Sequence, residues 1–416
     1  MYRKTTLPSG IRVVTERMDS VRSASLGIWA NIGSAGERAP RRGISHLVEH
    51  MVFKGTEKRT AREIAETMDG VGGNLNAFTD KEATCYYARV IDHHVPLALD
   101  VLSDMLRRPL FAPNDIAKEQ RVVVEEIKMY EDSPSEHVHE LFLRQMWAGS
   151  SLGDPTIGFE ETVVALDAAA LREHLADHYA PNALLVCAAG NVDHDAFVEH
   201  VQTQFEGYAG VSPTPVPQAP MALPQSRIFE KDIEQAHVVL GVQGLSVRDD
   251  RRYVLSVLDT LLGGGMSSRL FQEIREKRGL VYTVYSFQNG YLGSGLFGIY
   301  AGCSAENVQP CIDVTMEQLA LLRTHRVSDA ELLLAKEHMK GSLTLSLEST
   351  SSRMMRLGRN EYAFGRQIAT EEIEAAIDAV TADEIIELSS ELFAEERVGL
   401  CVLGPVDHAH LVSDAA

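Results

Sequence analysis

The chain has 416 residues, 59 of them acidic against 39 basic, for a formal charge of −20 with histidines neutral. That length suits two or three domains, and 45% apolar content belongs to a well-cored protein, not a disordered one. The acidic balance excludes a broad basic footprint for nucleic-acid phosphate and favours neutral or basic partners.

The first strands are expected at residues 10–15 and 25–30, where β-branched and apolar residues run between turn signals. A helix follows over 44–53, with Ile44, Leu47, Val48, Met51 and Val52 at helical spacing and Gly55 available to end it. Residues 72–79, GGNLNAFT, read as glycines followed by an alternating strand. A second helix pair ends in one over 114–130, opening at Asn114, an acceptable N-cap. Pro213, Pro215, Pro217, Pro220 and Pro224 disfavour helix and central strand alike. Residues 211–226 are therefore expected as an extended linker between domains at 1–210 and 227–416.

The two halves are a weak repeat. SLGIWANIGSAGERAPRRGISHLVEHMVFKG resembles HVVLGVQGLSVRDDRRYVLSVLDTLLGGG, and the 114–130 helix has a counterpart opening at Ser328. Strand runs interrupted by helix pairs predict two α+β domains, each a mostly antiparallel sheet with helices packed on one face. A doubly wound parallel sheet would need strict strand–helix alternation, which is missing.

The five cysteines, Cys85, Cys187, Cys303, Cys311 and Cys401, are scattered and lack CxxC spacing. They read as reduced structural thiols, with no cysteine zinc site. The N-terminal MYRKTTLPSGIRVVTERM has no apolar signal segment, and the best apolar run, 183–190, is far too short to span a bilayer. A soluble cytoplasmic protein is expected.

The chemistry centres on HLVEH. On a helix His46 and His50 are i and i+4, so both imidazoles project from one face, the geometry two ligands need to grip one Zn²⁺. Glu49 lies on the same side, placed for a metal-bound water instead of the metal. A histidine pair on a helix is often only surface polarity. Here, however, three ionisable groups interrupt an apolar helix, and burying them without pairing or a metal costs several kcal/mol. A catalytic zinc wants a third ligand and an open position. On the 114–130 helix Glu119 and Glu126 share a face, with Glu125 turned about 100° away. Geometry alone leaves Glu119 and Glu126 open, the one as ligand and the other as a carboxylate orienting a histidine. The bland alternative is a solvated acidic face.

HLVEHMVFKGT, GGNLNAFTDKEATCYY and EQRVVVEEI together resemble the inverzincins, whose zinc motif is H-x-x-E-H. Within them the chain is similar to the pitrilysin group, in the short-chain branch of mitochondrial processing peptidase and its bacterial relatives. The resemblance spans essentially the whole chain. It implies His46, His50 and Glu126 as zinc ligands, the last 76 positions after His50. It makes Glu49 the general base and Glu119 the companion acid.

Sliding the repeat sets Ser256, Asp259 and Thr260 opposite His46, Glu49 and His50, and Ser342 opposite Glu126. The second copy cannot hold a second zinc. Its GGGMSSRLF segment is no phosphate loop, because no Lys-Ser/Thr follows at the required spacing. By the resemblance, Arg275 and Tyr282 hold substrate backbone and donate to the developing oxyanion. Taken alone, the pair would be a surface cation and a core aromatic. The resemblance also makes 72–79 an edge strand onto which a peptide adds, with Asn76, Ala77 and Phe78 carried over and Phe78 in an apolar pocket. Without it, these are an ordinary sheet edge and core ring. His93–His94, His137 and His139 do not share helix faces and are expected at the surface, with His408 and His410 in a polar tail. No Gly-x-Ser-x-Gly elbow or catalytic Cys/His pair is visible.

The chain is thus expected to be a zinc metalloendopeptidase holding one Zn²⁺. By the resemblance it forms a clamshell homodimer that takes peptides or unfolded segments, with Arg275 and Tyr282 supplied by the facing subunit. Basic peptides suit its charge. The rivals are a non-catalytic assembly subunit on the same fold and an active subunit that needs an inactive partner.

Overall fold

The structure, a computed structural model, describes residues 2–214 and 216–406. Pro215 of the proline-rich stretch and the tail histidines His408 and His410 lie outside the described residues. Among the described residues no helix is long and apolar enough to cross a membrane. All five cysteines are buried and unpaired.

The first sheet has six strands: β1 (Tyr2–Thr6), β2 (Arg12–Arg17), β3 (Ser23–Ala30), β4 (Asn74–Thr79), β5 (Thr84–Ile91) and β6 (Leu184–Gly190). Their order is β1-β2-β6-β3-β5-β4, with β2 and β6 parallel and every other pair antiparallel. β6, LLVCAAG, is buried along its whole length, as a continuous apolar run in the middle of a covered sheet should be. β4 pairs only with β5 and forms the edge. The Val95–Arg107 helix packs on β3 and β5, and the Ile44–Val52 helix on β4 and β5.

The opposite face is covered too, by the Thr350–Phe364 helix lying on β2, β3 and β6. Ser25 Oγ is 2.9 Å from Thr350 Oγ1, and Met354 and Leu357 join Trp29, Cys85 and Cys187 in one apolar cluster. Gly358 lets the helix approach closely, since a Cβ there would lie 2.2 Å from Cε2 of Trp29.

The second sheet repeats this pattern with five strands: β7 (Ser226–Glu230), β8 (Ala236–Gln243), β9 (Val281–Gly290), β10 (Gly295–Cys303) and β11 (Gly399–Gly404). Their order is β7-β11-β8-β10-β9, again with one parallel pair, here β7 and β11, and the rest antiparallel. β9 takes the edge position that β4 holds in the first sheet. The Pro134–Met146 helix lies on β8 and β11, with Phe142 against Gly241 and Met146 against Gly399. The mixed α+β, mostly antiparallel architecture expected from the repeat is therefore the fold, except that helices cover both faces of the first sheet where one was expected, because Thr350–Phe364 returns to it from far along the chain.

The compact units depart from contiguous domains at 1–210 and 227–416. One comprises 1–128, 154–216 and 345–367; the other comprises 129–153, 217–344 and 368–416. Each gains a helix from the far side of the proline-rich stretch. Helical periodicity shows that a helix has an apolar face, but not which sheet will receive it. No helix or strand lies between Tyr208 and Gln225 among the described residues.

Two local expectations are corrected. The helix placed at 114–130 runs Pro113–Glu131, so Asn114 sits inside its first turn, and Ala112 O accepts from the Asp115 and Ile116 N–H groups. Proline is well suited to a first helical turn, where its missing N–H has no partner to lose. His139, expected at the surface, is half-buried: its ring lies 5.2 Å from that of Tyr300, and Nε2 is 3.1 Å from the Tyr285 hydroxyl. Ser328 does cap its helix, accepting from the Glu331 N–H.

Candidate metal centre

The HLVEH segment forms the Ile44–Val52 helix, and burial fixes how it is rolled. Ile44, Leu47, Val48, Met51 and Val52 are all 0–1% exposed, which leaves His46, Glu49 and His50 on the side facing out of the core. The chain enters this helix through Gly43 at φ +89°, where a Cβ would come within 2.5 Å of the Ile157 carbonyl oxygen. Glu37, itself buried, caps it from outside: Oε2 accepts from the Gly43 N–H at 2.8 Å and Oε1 from the Ser45 N–H at 2.7 Å. A carboxylate against exposed helical N–H groups also complements the helix dipole. Burial nevertheless pushes the Glu37 carboxyl up to about 7, and the two backbone bonds only partly offset that rise.

Glu126 reaches the same place from the Pro113–Glu131 helix, which Ile116, Val123 and Val124 anchor in the core. Its Oε2 lies 3.6 Å from His50 Nε2 and 3.9 Å from His46 Nε2, and the two imidazole centroids are 4.6 Å apart. One donor atom from each of His46, His50 and Glu126 falls within 4.8 Å of the others, the one such metal-capable group among the described residues. Tetrahedral zinc with bonds of about 2.0–2.1 Å separates its ligands by about 3.3 Å. The two Glu126 spacings of 3.6 and 3.9 Å lie close to that value and all three donors stay within 4.8 Å of one another, so the donor set fits zinc. Burial, with His50 adding to it, lowers the His46 pKa to about 3, which keeps that imidazole neutral with a lone pair to offer.

The two glutamates occupy different places around His50. Glu119 is buried and turns to the other side of His50, its Oε2 3.3 Å from Nδ1, so Nε2 is the nitrogen left to face Glu126. Lys54 Nζ holds the second oxygen of Glu119 at 2.7 Å. Glu125 points away and pairs with Lys128. Lys54 was not singled out from the sequence, although it follows His50 by one helical turn. Thr79 was also missed: its hydroxyl donates to Glu49 Oε2 at 2.5 Å from the end of β4. Burial raises the Glu49 carboxyl, while Thr79 and His50 pull it back down.

Asn76, Ala77 and Phe78 all lie on the edge strand β4. Because strand side chains alternate, Phe78 points to the face opposite Thr79 and Glu49. Its ring, partly buried, packs edge-on to Trp29 at 5.5 Å and near Tyr87. Arg275 and Tyr282 come together in the second unit, the guanidinium 5.3 Å from the tyrosine ring and 4.7 Å from that of Phe271. Tyr282 is 76% exposed at the start of β9. At the positions matching the histidines, the Ser256 and Thr260 hydroxyls donate to their own helix backbone, and Asp259 accepts from Ser286 on β9.

Comparison with known proteins gives two family matches in chain order. Residues 12–160 match the family described as insulinase (peptidase family M16), and residues 165–339 match the peptidase M16 inactive domain. An uncharacterized zinc protease of Streptomyces coelicolor is 44% identical over 97% of this chain and 90% of its own. The uncharacterized zinc protease YmxG of Bacillus subtilis is 42% identical over 97% of this chain and 98% of its own. Among solved structures, a protease from Helicobacter pylori superposes with a TM-score of 0.90 at 21% identity, covering 97% of this chain and 99% of that one. A structure from Pseudomonas fluorescens titled as a peptidase M16 inactive domain gives the same TM-score at 19% identity, covering 97% and 98%. Those two likenesses speak for the fold. With sequence identity above 40% along nearly its full length, the chain belongs to peptidase family M16.

Proposed function

We propose that the protein is a zinc-dependent endopeptidase that cleaves peptides or unfolded segments. The observation that carries this is the convergence of His46 Nε2, His50 Nε2 and Glu126 Oε2 beside a carboxylate, Glu49, that is not among the three donors. His46, His50 and Glu126 would hold the metal, and His50 is oriented by its Nδ1 contact with Glu119. Zinc bound there would polarise a scissile carbonyl and bring the pKa of a water toward about 7. Glu49 takes the proton from the attacking water and returns it to the leaving amine. A substrate adds along the open edge of β4, main chain to main chain, beside Asn76 and Ala77. Arg275 and Tyr282, contributed by a facing second copy in a homodimeric chamber, hold the peptide and its oxyanion. Five buried thiols fit a reducing cytoplasm, and the charge of −20 fits basic peptides.

The test is metal analysis of the purified chain together with cleavage of a quenched basic peptide, with and without a chelator. About one zinc per chain and chelator-sensitive cleavage are expected. Zinc without cleavage, in the presence of candidate partners as well, would overturn the enzymatic reading.

A further inference from the structure

Thr79 stands where two parts of the proposed site meet. It is the last residue of β4, the edge strand, and is paired with Thr84 of β5. Its hydroxyl donates to one oxygen of Glu49 at 2.5 Å. As a β-branched residue in a paired strand it has little freedom at χ1, so the oxygen it offers Glu49 is held stiffly. With Oε2 occupied, Oε1 is the Glu49 oxygen left to accept a proton.

The second copy shows that such a tie belongs to the fold and that its chemical use can differ. There Ser286, on the corresponding edge strand β9, donates to Asp259 Oδ1 at 2.5 Å, and Asp259 occupies the position of Glu49. The flanking histidines are replaced by Ser256 and Thr260, so this carboxylate has no metal set to serve. An edge strand bonded to a helix carboxylate is thus common to both sheets. Only in the first does the bond end on a group beside a metal-capable triad.

We infer that Thr79 is a positioning residue for peptide hydrolysis, fixing Glu49 in the frame of the strand along which the substrate lies. This rests on the peptidase reading. Because donor and docking edge are the same strand, a peptide seated on β4 and the carboxylate that must reach its attacking water share one reference. Misplacing a reacting group by about 1 Å can cost on the order of 100-fold in rate.

The experiment compares Thr79→Val, Thr79→Ser and Ser286→Ala with wild type, measuring zinc content, melting temperature, kcat and KM on a quenched peptide. Thr79→Val keeps the shape and removes the donor. It is expected to retain one zinc per chain, to hold KM within about two-fold and to lose about 10- to 100-fold in kcat, the effect of one hydrogen bond to a charged group. Thr79→Ser should recover most of that loss. Ser286→Ala removes the matching bond where no triad exists, so it should lower the melting temperature comparably while leaving kcat unchanged. Thr79→Ala replaces the valine variant if that one folds poorly. Undiminished kcat in Thr79→Val, or equal loss in the serine and valine variants, would overturn the inference alone. A wild-type chain that holds zinc and cleaves nothing would overturn the peptidase reading and this inference with it.

Discussion

Replacing Gly358 by alanine sets two effects against each other, and the structure says which wins. In an exposed helix, Gly→Ala gains about 1 kcal/mol from backbone entropy. At Gly358 the new Cβ would lie 2.2 Å from Trp29 Cε2 and 2.5 Å from both Cζ2 and Nε1. Carbon atoms rest at about 3.5–4.0 Å, so the helix must retreat from β3 by about 1 Å or the indole must turn. The indole is 5% exposed and packed against Met354, Leu357 and Phe78, so it has nowhere to go. A gap of that size forfeits about a quarter to a half of each dispersion contact along the helix, and overpacking of this kind costs about 1–3 kcal/mol. A 2.2 Å approach to the ring edge puts Gly358→Ala at the upper end of that range, so after the propensity gain we expect a net loss of about 1–2 kcal/mol. Gly341 is the control: it lies within the Asp329–Ser346 helix with nothing within 4 Å of a Cβ, and its alanine variant should gain about 1 kcal/mol. Calorimetry reads these as shifts of about 1–2 °C per kcal/mol for a chain of this length, in opposite directions. Tryptophan emission should also redden in Gly358→Ala, since Trp29 is one of only two tryptophans. A Gly358→Ala protein as stable as wild type would refute the claim that this glycine is required for close packing.

Further outcomes follow from the metal centre and its supports. Glu49→Gln should keep zinc and lose about 100- to 10,000-fold in cleavage, whereas His50→Ala should lose both; wild-type turnover by the Gln variant would remove Glu49 as the base. Glu119→Gln should weaken zinc binding by about 10- to 100-fold in a chelator competition, and unchanged affinity would show that its contact with His50 Nδ1 is incidental. Glu37 gives a pH signature. Its carboxyl titrates at about 7 in the folded chain against 4.5 ordinarily, so the folded state holds that proton to higher pH than the unfolded state. Wild-type stability relative to Glu37→Gln should therefore fall as pH rises from about 4.5 to 7 and stay level above. Parallel melting curves across that range would contradict it.

How much of this was legible beforehand depends on the range over which each signal acts. HLVEH specifies its own helix, because five apolar residues at helical spacing leave only one way to roll it, and the two histidines then share a face. Glu126 was harder. It sits on a different helix, and spacing alone could not separate it from Glu119, since both lie on the same side. Which of them meets both histidines depends on how two separate helices are placed, which no local pattern encodes. Thr79 and Lys54 carry no periodic signal; each matters for a single hydrogen bond or ion pair across the fold. Phe78 is a mixed case. Its alternation along β4 is visible in the sequence, while its aromatic neighbour Trp29 lies far away in sequence. The repeat was readable as a likeness between halves, and the matching strand orders of the two sheets are its physical content.

The exchange of helices between the two units bears on how the chain is made. The six-stranded sheet beneath the helix of His46 and His50 is synthesised by Gly190, but one of its faces waits for the Thr350–Phe364 helix. At about 5–20 residues per second, translation from residue 216 to residue 364 takes roughly 7–30 s. Throughout that interval Val14, Trp29, Cys85, Leu185 and Cys187 lack the cover that Met354 and Leu357 provide. A nascent chain in this state presents a bare apolar sheet face to its surroundings, a natural target for a holding chaperone. Any version of the protein truncated at the proline-rich stretch would keep that face bare permanently, with His46, His50 and Glu126 still in its sequence.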